Sequence, residues 1–173
     1  GAPWRSPEKS LYLGNSGTGA RLIMGAVAGA KVSAAFDGDA SLRSRPMGRV
    51  LEPLRMMGLE TSDQNGRLPV ALEACQDLKA ITVKLTTPSA QVKSAILLAA
   101  LGAQGVTRVH EPELCRDHTE RMLAAFGAEL FMTPDGGQGR FIEIAGGQSL
   151  TACDVIVPGD PSSAAFPLAA ALI

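Results

Sequence analysis

Ser16, Ser89 and Ser162 each stand just before an apolar helical run, and the 73-residue interval from the first to the second is repeated from the second to the third. The hairpin strands expected to begin at Arg67 and Arg140 are separated by the same 73 residues, and the helix stops Gly58 and Gly127 also correspond. A recurrence of this size means that one supersecondary unit is used repeatedly and that successive units bury one another's apolar faces. Within a single domain spanning 1–173, two nearly complete units at about 10–74 and 80–146 are expected, with the opening of a third at 152–173. Each reads strand, helix, strand, helix, strand, strand. The corresponding fold class is α/β (α+β), with helices inside and mixed sheets toward solvent, in its plainest form a two-layer sandwich.

The second unit shows the pattern most clearly. Ile81–Leu85 reads as a strand, Thr87-Pro-Ser-Ala90 as a polar turn, and Gln91–Leu101 as an apolar helix. Gly102-Ala-Gln-Gly105 ends that helix, and Val106–His110 reads as the next strand. A helix mouth carries unpaired N–H groups and a partial positive charge, so it suits a phosphate or carboxylate. Capping alone also explains Ser89.

In the first unit the same reasoning gives a strand at Ser10–Leu13, a helix at Ala20–Ala28 and a strand at Val32–Phe36. A helix at Met47–Met57 follows, with Val50, Leu54 and Met57 as its stripe and Pro53 awkwardly inside. Leu59–Ser62 and Arg67–Glu73 form a hairpin whose Asn65-Gly66 supplies the positive-φ turn. The second unit closes with a helix at His118–Phe126, burying Met122, Leu123 and Phe126, and a hairpin of Glu129–Thr133 with Arg140–Ala145. Asp154–Val157 is expected as a strand before the final helix.

Composition narrows the function classes. The 16 basic and 17 acidic residues give a formal net charge of −1, so no global field favours nucleic acid or a membrane surface. Aromatic residues make up 4% of the chain, which weakens any proposal based on base stacking. Cys75, Cys115 and Cys153 form no CxxC pair and are expected as free thiols in a reducing compartment, giving a cytoplasmic assignment. His110 and His118 have no third clustered ligand, so no metal site is expected. Arg43 and Arg49 read as surface or cleft-edge charges, Lys93 as cleft lining or surface, and Met47, Met56 and Met57 as core filling. Cys115 beside Arg116 is placed for a lowered pKa, because adjacent positive charge favours thiolate. The unusual start at Trp4-Arg-Ser-Pro7 and the apolar final run suggest a fragment of a longer polypeptide.

Five ordered segments carry a more specific likeness. They are Leu13-Gly-Asn-Ser-Gly-Thr-Gly-Ala-Arg21, Asp39-Ala-Ser-Leu-Arg-Ser-Arg-Pro-Met-Gly-Arg49, Pro88-Ser-Ala-Gln-Val-Lys-Ser94, Arg116-Asp-His-Thr-Glu120 and Pro158-Gly-Asp-Pro-Ser-Ser163. Together they resemble the 5-enolpyruvylshikimate-3-phosphate (EPSP) synthases, particularly the bacterial subgroup known for glyphosate-tolerant members. The resemblance implies an inside-out α/β barrel arrangement of βαβαββ units, two domains, and a cleft between them. On this basis the chain is most of one domain of a two-domain enzyme.

The implied reaction is transfer of the enolpyruvyl group of phosphoenolpyruvate to the 5-hydroxyl of shikimate 3-phosphate, with release of phosphate, in the shikimate pathway. No metal and no organic cofactor are implied. The shikimate 3-phosphate contacts implied are Ser89, Ala90, Gln91 and Arg116, with alanine at 90 in place of a second serine seen in part of the family. The phosphoenolpyruvate contacts implied are Arg45, Gln91, Gly17, Asn15, Thr18 and Arg21. Glyphosate is implied as an inhibitor of the complete enzyme, with Gly17 leaving the space that a methyl group would crowd.

The family's catalytic residues from the N-terminal segment and the other domain have no counterpart here. No catalytic residue is therefore assigned within the chain, the missing complementary domain is the implied partner, and the chain alone is expected to be inactive. Two further readings fit the same repeat: a non-catalytic packing or assembly domain, and a domain like RNA 3′-terminal phosphate cyclase. Balanced charge and few aromatics count against the second, in keeping with expected partners that include neither nucleic acid nor a membrane.

Overall fold

The computed structural model describes residues 3–172, with Pro161, Ser162 and Phe166 described through their backbone alone. The chain begins with strand β1 (Leu11–Tyr12), helix α1 (Gly17–Gly29), strand β2 (Ala34–Asp37), short helix α2 (Ala40–Ser44) and helix α3 (Gly48–Met56). Strands β3 (Thr61–Ser62) and β4 (Val70–Leu72) close the first sheet, in the order β1-β2-β4-β3. Strand β5 (Thr82–Lys84), helix α4 (Ala90–Ala100), strand β6 (Val106–Glu111), helix α5 (His118–Ala125) and strands β7 (Leu130–Pro134) and β8 (Arg140–Ala145) follow. They form a second sheet of order β5-β6-β8-β7. In each sheet the first two strands run parallel, and the other pairings are antiparallel. A parallel pair requires a crossover, which α1 supplies in one sheet and α4 in the other.

The helices occupy the interior. Helix α4 is apolar on nearly every face and is buried from Val92 through Leu97 and again at Ala99 and Ala100, as a helix without a polar face requires. It runs against α1 with almost no space between backbones. A Cβ at Gly25 would lie 2.2 Å from the Ala95 carbonyl oxygen, and one at Gly102 would lie 1.9 Å from the Gly29 carbonyl oxygen. Glycine at these positions is what permits the approach.

Capping sets the helix starts. The Ser16 and Ser89 hydroxyls accept hydrogen bonds from the N–H groups of Gly19 (3.1 Å) and Val92 (3.4 Å). In the first hairpin, Asn65 and Gly66 adopt φ of +54° and +74°, as the turn requires.

Several expectations are corrected. Helix α2 was not expected; Asp39 caps it by accepting from the Leu42 N–H at 2.7 Å. Pro53 lies inside α3 and joins Val50, Leu51 and Leu54 on its buried face. Met47 and Met57 are core residues, whereas Met56 is exposed. On α5, Leu123 is buried but Met122 is exposed, because this short helix covers the core along a narrow stripe. Asp154–Val157 is not a strand, and Ile156 is 93% exposed; an apolar β-prone run without a paired neighbour has nothing to hold it extended in a sheet. Helix α6 (Pro161–Ala171) starts before Ser162 rather than after it. Asp160 caps it, accepting from the Ser163 N–H at 3.2 Å and its hydroxyl at 2.6 Å. The role expected for the Ser162 side chain lies outside the described residues.

Candidate functional site

The starts of α1 and α4 lie side by side. Thr18 and Gln91 are each the second residue of their helix, and the Gln91 Nε2 donates to the Thr18 hydroxyl at 2.7 Å. Near the far ends, Gly29 and Gly102 touch, so the helices run parallel and present two N-terminal mouths at one end of the fold. Their exposed N–H groups and aligned dipoles favour negative charge there.

Arginines converge on the same end. Arg21 donates through Nη1 to Gln91 Oε1 at 2.7 Å and through Nη2 to the Pro46 carbonyl at 3.1 Å. Gln91 thus bridges Arg21 and Thr18. Arg45 donates through Nη2 to Asn15 Oδ1 at 2.5 Å. Gly17 lies beneath both guanidinium groups: a Cβ there would stand 2.9 Å from Arg45 Nη1 and 3.1 Å from Arg21 Nη1. Burial, and then repulsion by Arg45 and Arg49, lower the Arg21 pKa. Among the described residues, neither Arg21 nor Arg45 forms an ion pair with a carboxylate. Positive charge is concentrated here on amide and carbonyl partners alone.

A groove of about 150 Å³ adjoins this cluster and is lined by Thr18, Ala90, Gln91, Arg116, His118 and Thr119, among others. It unites residues from α1, α4 and the connection into α5. Ser94 fixes one wall: its hydroxyl hydrogen-bonds the Ala90 carbonyl at 2.7 Å and the Thr119 hydroxyl at 2.6 Å. Ser89 stands at the rim, with its hydroxyl committed to the α4 cap rather than lining the groove. The residues expected at the site therefore gather in two adjoining sets: Asn15, Gly17, Arg21 and Arg45 form one, and Ala90 and Arg116 the other, with Thr18 and Gln91 between them.

Arg43 is elsewhere, paired with Asp37 at the surface through Nε at 2.7 Å. Arg49 lines a separate groove with Glu52, Met56, Thr86 and Thr87. Among the described residues, no group of three histidine, cysteine, aspartate or glutamate side chains could hold a metal ion, and no helix is long and apolar enough to cross a membrane.

Sequence reasoning missed a buried charge cluster behind the groove. Lys93 is 0% exposed, and its Nζ lies 2.8 Å from Glu111 Oε1 and 2.7 Å from Glu120 Oε1. Arg140 completes the cluster, reaching Glu111 Oε2 at 2.7 Å and Glu120 Oε1 at 3.0 Å. Burial opposes the charge on Lys93, but its two carboxylate partners outweigh it and raise the pKa. The same contest at Glu111 ends in the other direction. Burial raises its pKa, but hydrogen bonds from Cys115, Lys93 and Arg140 bring it down to about 2.

Cys115 corrects another expectation: burial, followed by its bond to Glu111, raises the thiol pKa rather than lowering it. The adjacent Arg116 was the visible sequence signal, whereas Glu111, four residues earlier, is the group that the thiol meets at 2.6 Å. The only local hint of the cluster was a lysine at the fourth position of a predominantly apolar helix.

Residues 2–173 match the family model described as EPSP synthase (3-phosphoshikimate 1-carboxyvinyltransferase). A 3-phosphoshikimate 1-carboxyvinyltransferase of Afipia carboxidovorans is 56% identical over 171 residues, an overlap covering 98% of this chain and 39% of that protein. Its counterpart in Rhodopseudomonas palustris is 55% identical over 174 residues, covering 99% and 39% respectively. The solved structure of EPSP synthase from Acinetobacter baumannii superposes with a TM-score of 0.81 at 48% identity, covering 92% of this chain and 36% of that one. The chain thus spans about two-fifths of the length of these relatives.

Proposed function

Because the chain belongs to the EPSP synthase family, we propose that it forms one wall of the substrate cleft of a 3-phosphoshikimate 1-carboxyvinyltransferase, with a complementary domain supplying the other wall. The observation carrying this reading is the Gln91 bridge between Arg21 and Thr18, which joins an arginine cluster without carboxylate partners among the described residues to a groove containing Arg116. In this reading Arg45 and Arg21, with Asn15, Gly17 and Thr18, receive phosphoenolpyruvate. Arg116, Ser89 and the Ala90 backbone receive shikimate 3-phosphate. Gln91 faces both substrates.

Arginine suits both positions because its planar fork donates to two oxygens of a phosphate or carboxylate at once. The reaction joins the 5-hydroxyl oxygen of shikimate 3-phosphate to C2 of the enolpyruvyl group and breaks that carbon's bond to the phosphate oxygen. A proton is added to the enol carbon and later removed, and inorganic phosphate leaves. The chain's own groups hold the two anions and bring the hydroxyl to the reacting carbon, a contribution that proximity makes large. The proton-moving groups belong to the complementary domain.

Mixing the chain with the complementary region of the Afipia carboxidovorans relative should yield phosphate release that depends on both substrates. Neither part should release phosphate alone. In the reconstituted enzyme, Gly17→Ala should weaken glyphosate inhibition, because the new methyl group lies within 2.9–3.1 Å of the Arg45 and Arg21 guanidinium nitrogens and must displace them. Absence of phosphate release from a stable reconstituted complex would reject the functional assignment. Equal inhibition constants for the two forms would reject the assigned place of Gly17.

A further inference from the structure

The buried cluster of Lys93, Glu111, Glu120 and Arg140 lies outside the groove yet is tied to the residue next to Arg116. Glu111 is the last residue of β6, and its Oε1 accepts from both the Cys115 backbone N–H at 2.9 Å and the Cys115 thiol at 2.6 Å. The carboxylate therefore folds the connection 112–117 back over the end of β6. Lys93 anchors that carboxylate to α4 at 2.8 Å, and Arg140 anchors it to β8 at 2.7 Å. On the other side, Lys93 reaches Glu120 in the first turn of α5 at 2.7 Å, while neighbouring Ser94 meets Thr119 at 2.6 Å. Four elements are thus locked around the short connection that carries Arg116.

From this arrangement we infer that Lys93 and Glu111, completed by Glu120 and Arg140, are positioning residues that hold Arg116 against the mouth of α4. The inference rests on the reading of that groove as the shikimate 3-phosphate site. Stability is a poor reason for the cluster: well-packed apolar residues in place of a buried ion network are often neutral or stabilising. Its Glu120 Oε2 is buried with no hydrogen-bond partner among the described residues, a cost that an apolar core would not carry. What the cluster supplies is direction. Lys93 is about one turn beyond Ala90 on α4, so it ties the α4 wall and the Arg116 wall to one point. Arg116 itself is exposed and would otherwise sample many rotamers, at an entropic cost to binding.

The decisive variant is Lys93→Met with Glu111→Gln, which removes one charge of each sign and leaves Arg140 opposite Glu120. In the isotopically labelled chain, this folded variant should show at least about tenfold faster hydrogen exchange at the Cys115 amide and an altered Arg116 Nε–H signal, because a charge-assisted hold has been removed. Its affinity for shikimate 3-phosphate should fall about tenfold in the native background and not further when Arg116→Ala is already present, as coupled residues require.

Unchanged Cys115 exchange in the folded variant would overturn the inference, and so would an equal affinity loss with and without Arg116. Should the double variant not fold, Cys115→Ala leaves the four charges in place and removes one of the two bonds to the connection. It should alter the Arg116 signal, and an unaltered signal would be equally fatal. If the native chain binds no shikimate 3-phosphate, the functional reading fails while exchange and the Arg116 signal still decide the positioning role.

Discussion

Replacing Gly25 with alanine is expected to remove at least about 3 kcal/mol of stability, near the upper end for overpacking a core. The three atoms nearest the added Cβ would all be backbone: the Ala95 carbonyl oxygen at 2.2 Å, its Cα at 2.6 Å and its carbonyl carbon at 2.7 Å. No rotamer change can relieve such contacts, so α1 and α4 must move apart. For a domain whose whole stability is about 5–15 kcal/mol, this approaches loss of the fold. Urea denaturation followed by circular dichroism measures the change. Gly48→Ala is the control, since a Cβ there meets nothing within 4 Å; its midpoint should stay level or rise. A Gly25→Ala loss below about 1 kcal/mol would show that the two helices are not locked at this crossing. The same separation would pull Thr18 from Gln91, so surviving folded protein should also bind substrate weakly.

The second large effect is expected from Lys93→Met. This single change leaves two buried carboxylates opposite one arginine, and breaking a buried ion pair in this way costs about 3–5 kcal/mol at neutral pH. Its pH dependence has a definite sign. The folded Glu111 pKa of about 2 lies below its ordinary value of 4.5, so its contribution is complete above about pH 4.5 and is lost as pH falls toward 2. Lys93 is one of the groups holding that pKa down, so the variant should lose part of this acid dependence. Urea midpoints should therefore differ more at pH 7 than at pH 3. A gap that is equal at both pH values would show that Lys93 does not stabilise the Glu111 carboxylate.

The recurrence of serine at 73-residue intervals led to the strand–helix–strand connections, because a cap and an apolar run are local signals that survive in one sequence. Asn65-Gly66 and the strand at Arg140–Ala145 were legible for the same reason. Helix α2 escaped because five residues are too few to show a helical period, although Asp39 offered a cap. Asp154–Val157 misled because β-propensity describes how residues fit a pleated surface but cannot supply the neighbour a strand must pair with.

At the site, the residues taken from family motifs fall together around Gln91, except that the Ser89 hydroxyl is occupied by its cap. Lys93 could not be placed from sequence. Its burial depends on Glu111 and Glu120, which reach it from β6 and α5 and are themselves held by Arg140 from β8, and no local pattern encodes that meeting. Gly25 and Gly102 were equally opaque, since a glycine within or just beyond a helix looks the same whether or not another backbone touches it.

Under the proposed function, the mouth of α4 and Arg116 form the binding surface for shikimate 3-phosphate, with Thr18 of α1 at its edge. Titration of the isotopically labelled chain with that compound, followed through backbone and side-chain amide resonances, tests it most directly. Saturable shifts should be confined to Thr18, Ser89–Gln91 and the neighbourhood of Arg116, and should weaken in Arg116→Ala. A spectrum unchanged at millimolar ligand, or shifts unaffected by loss of Arg116, would contradict it.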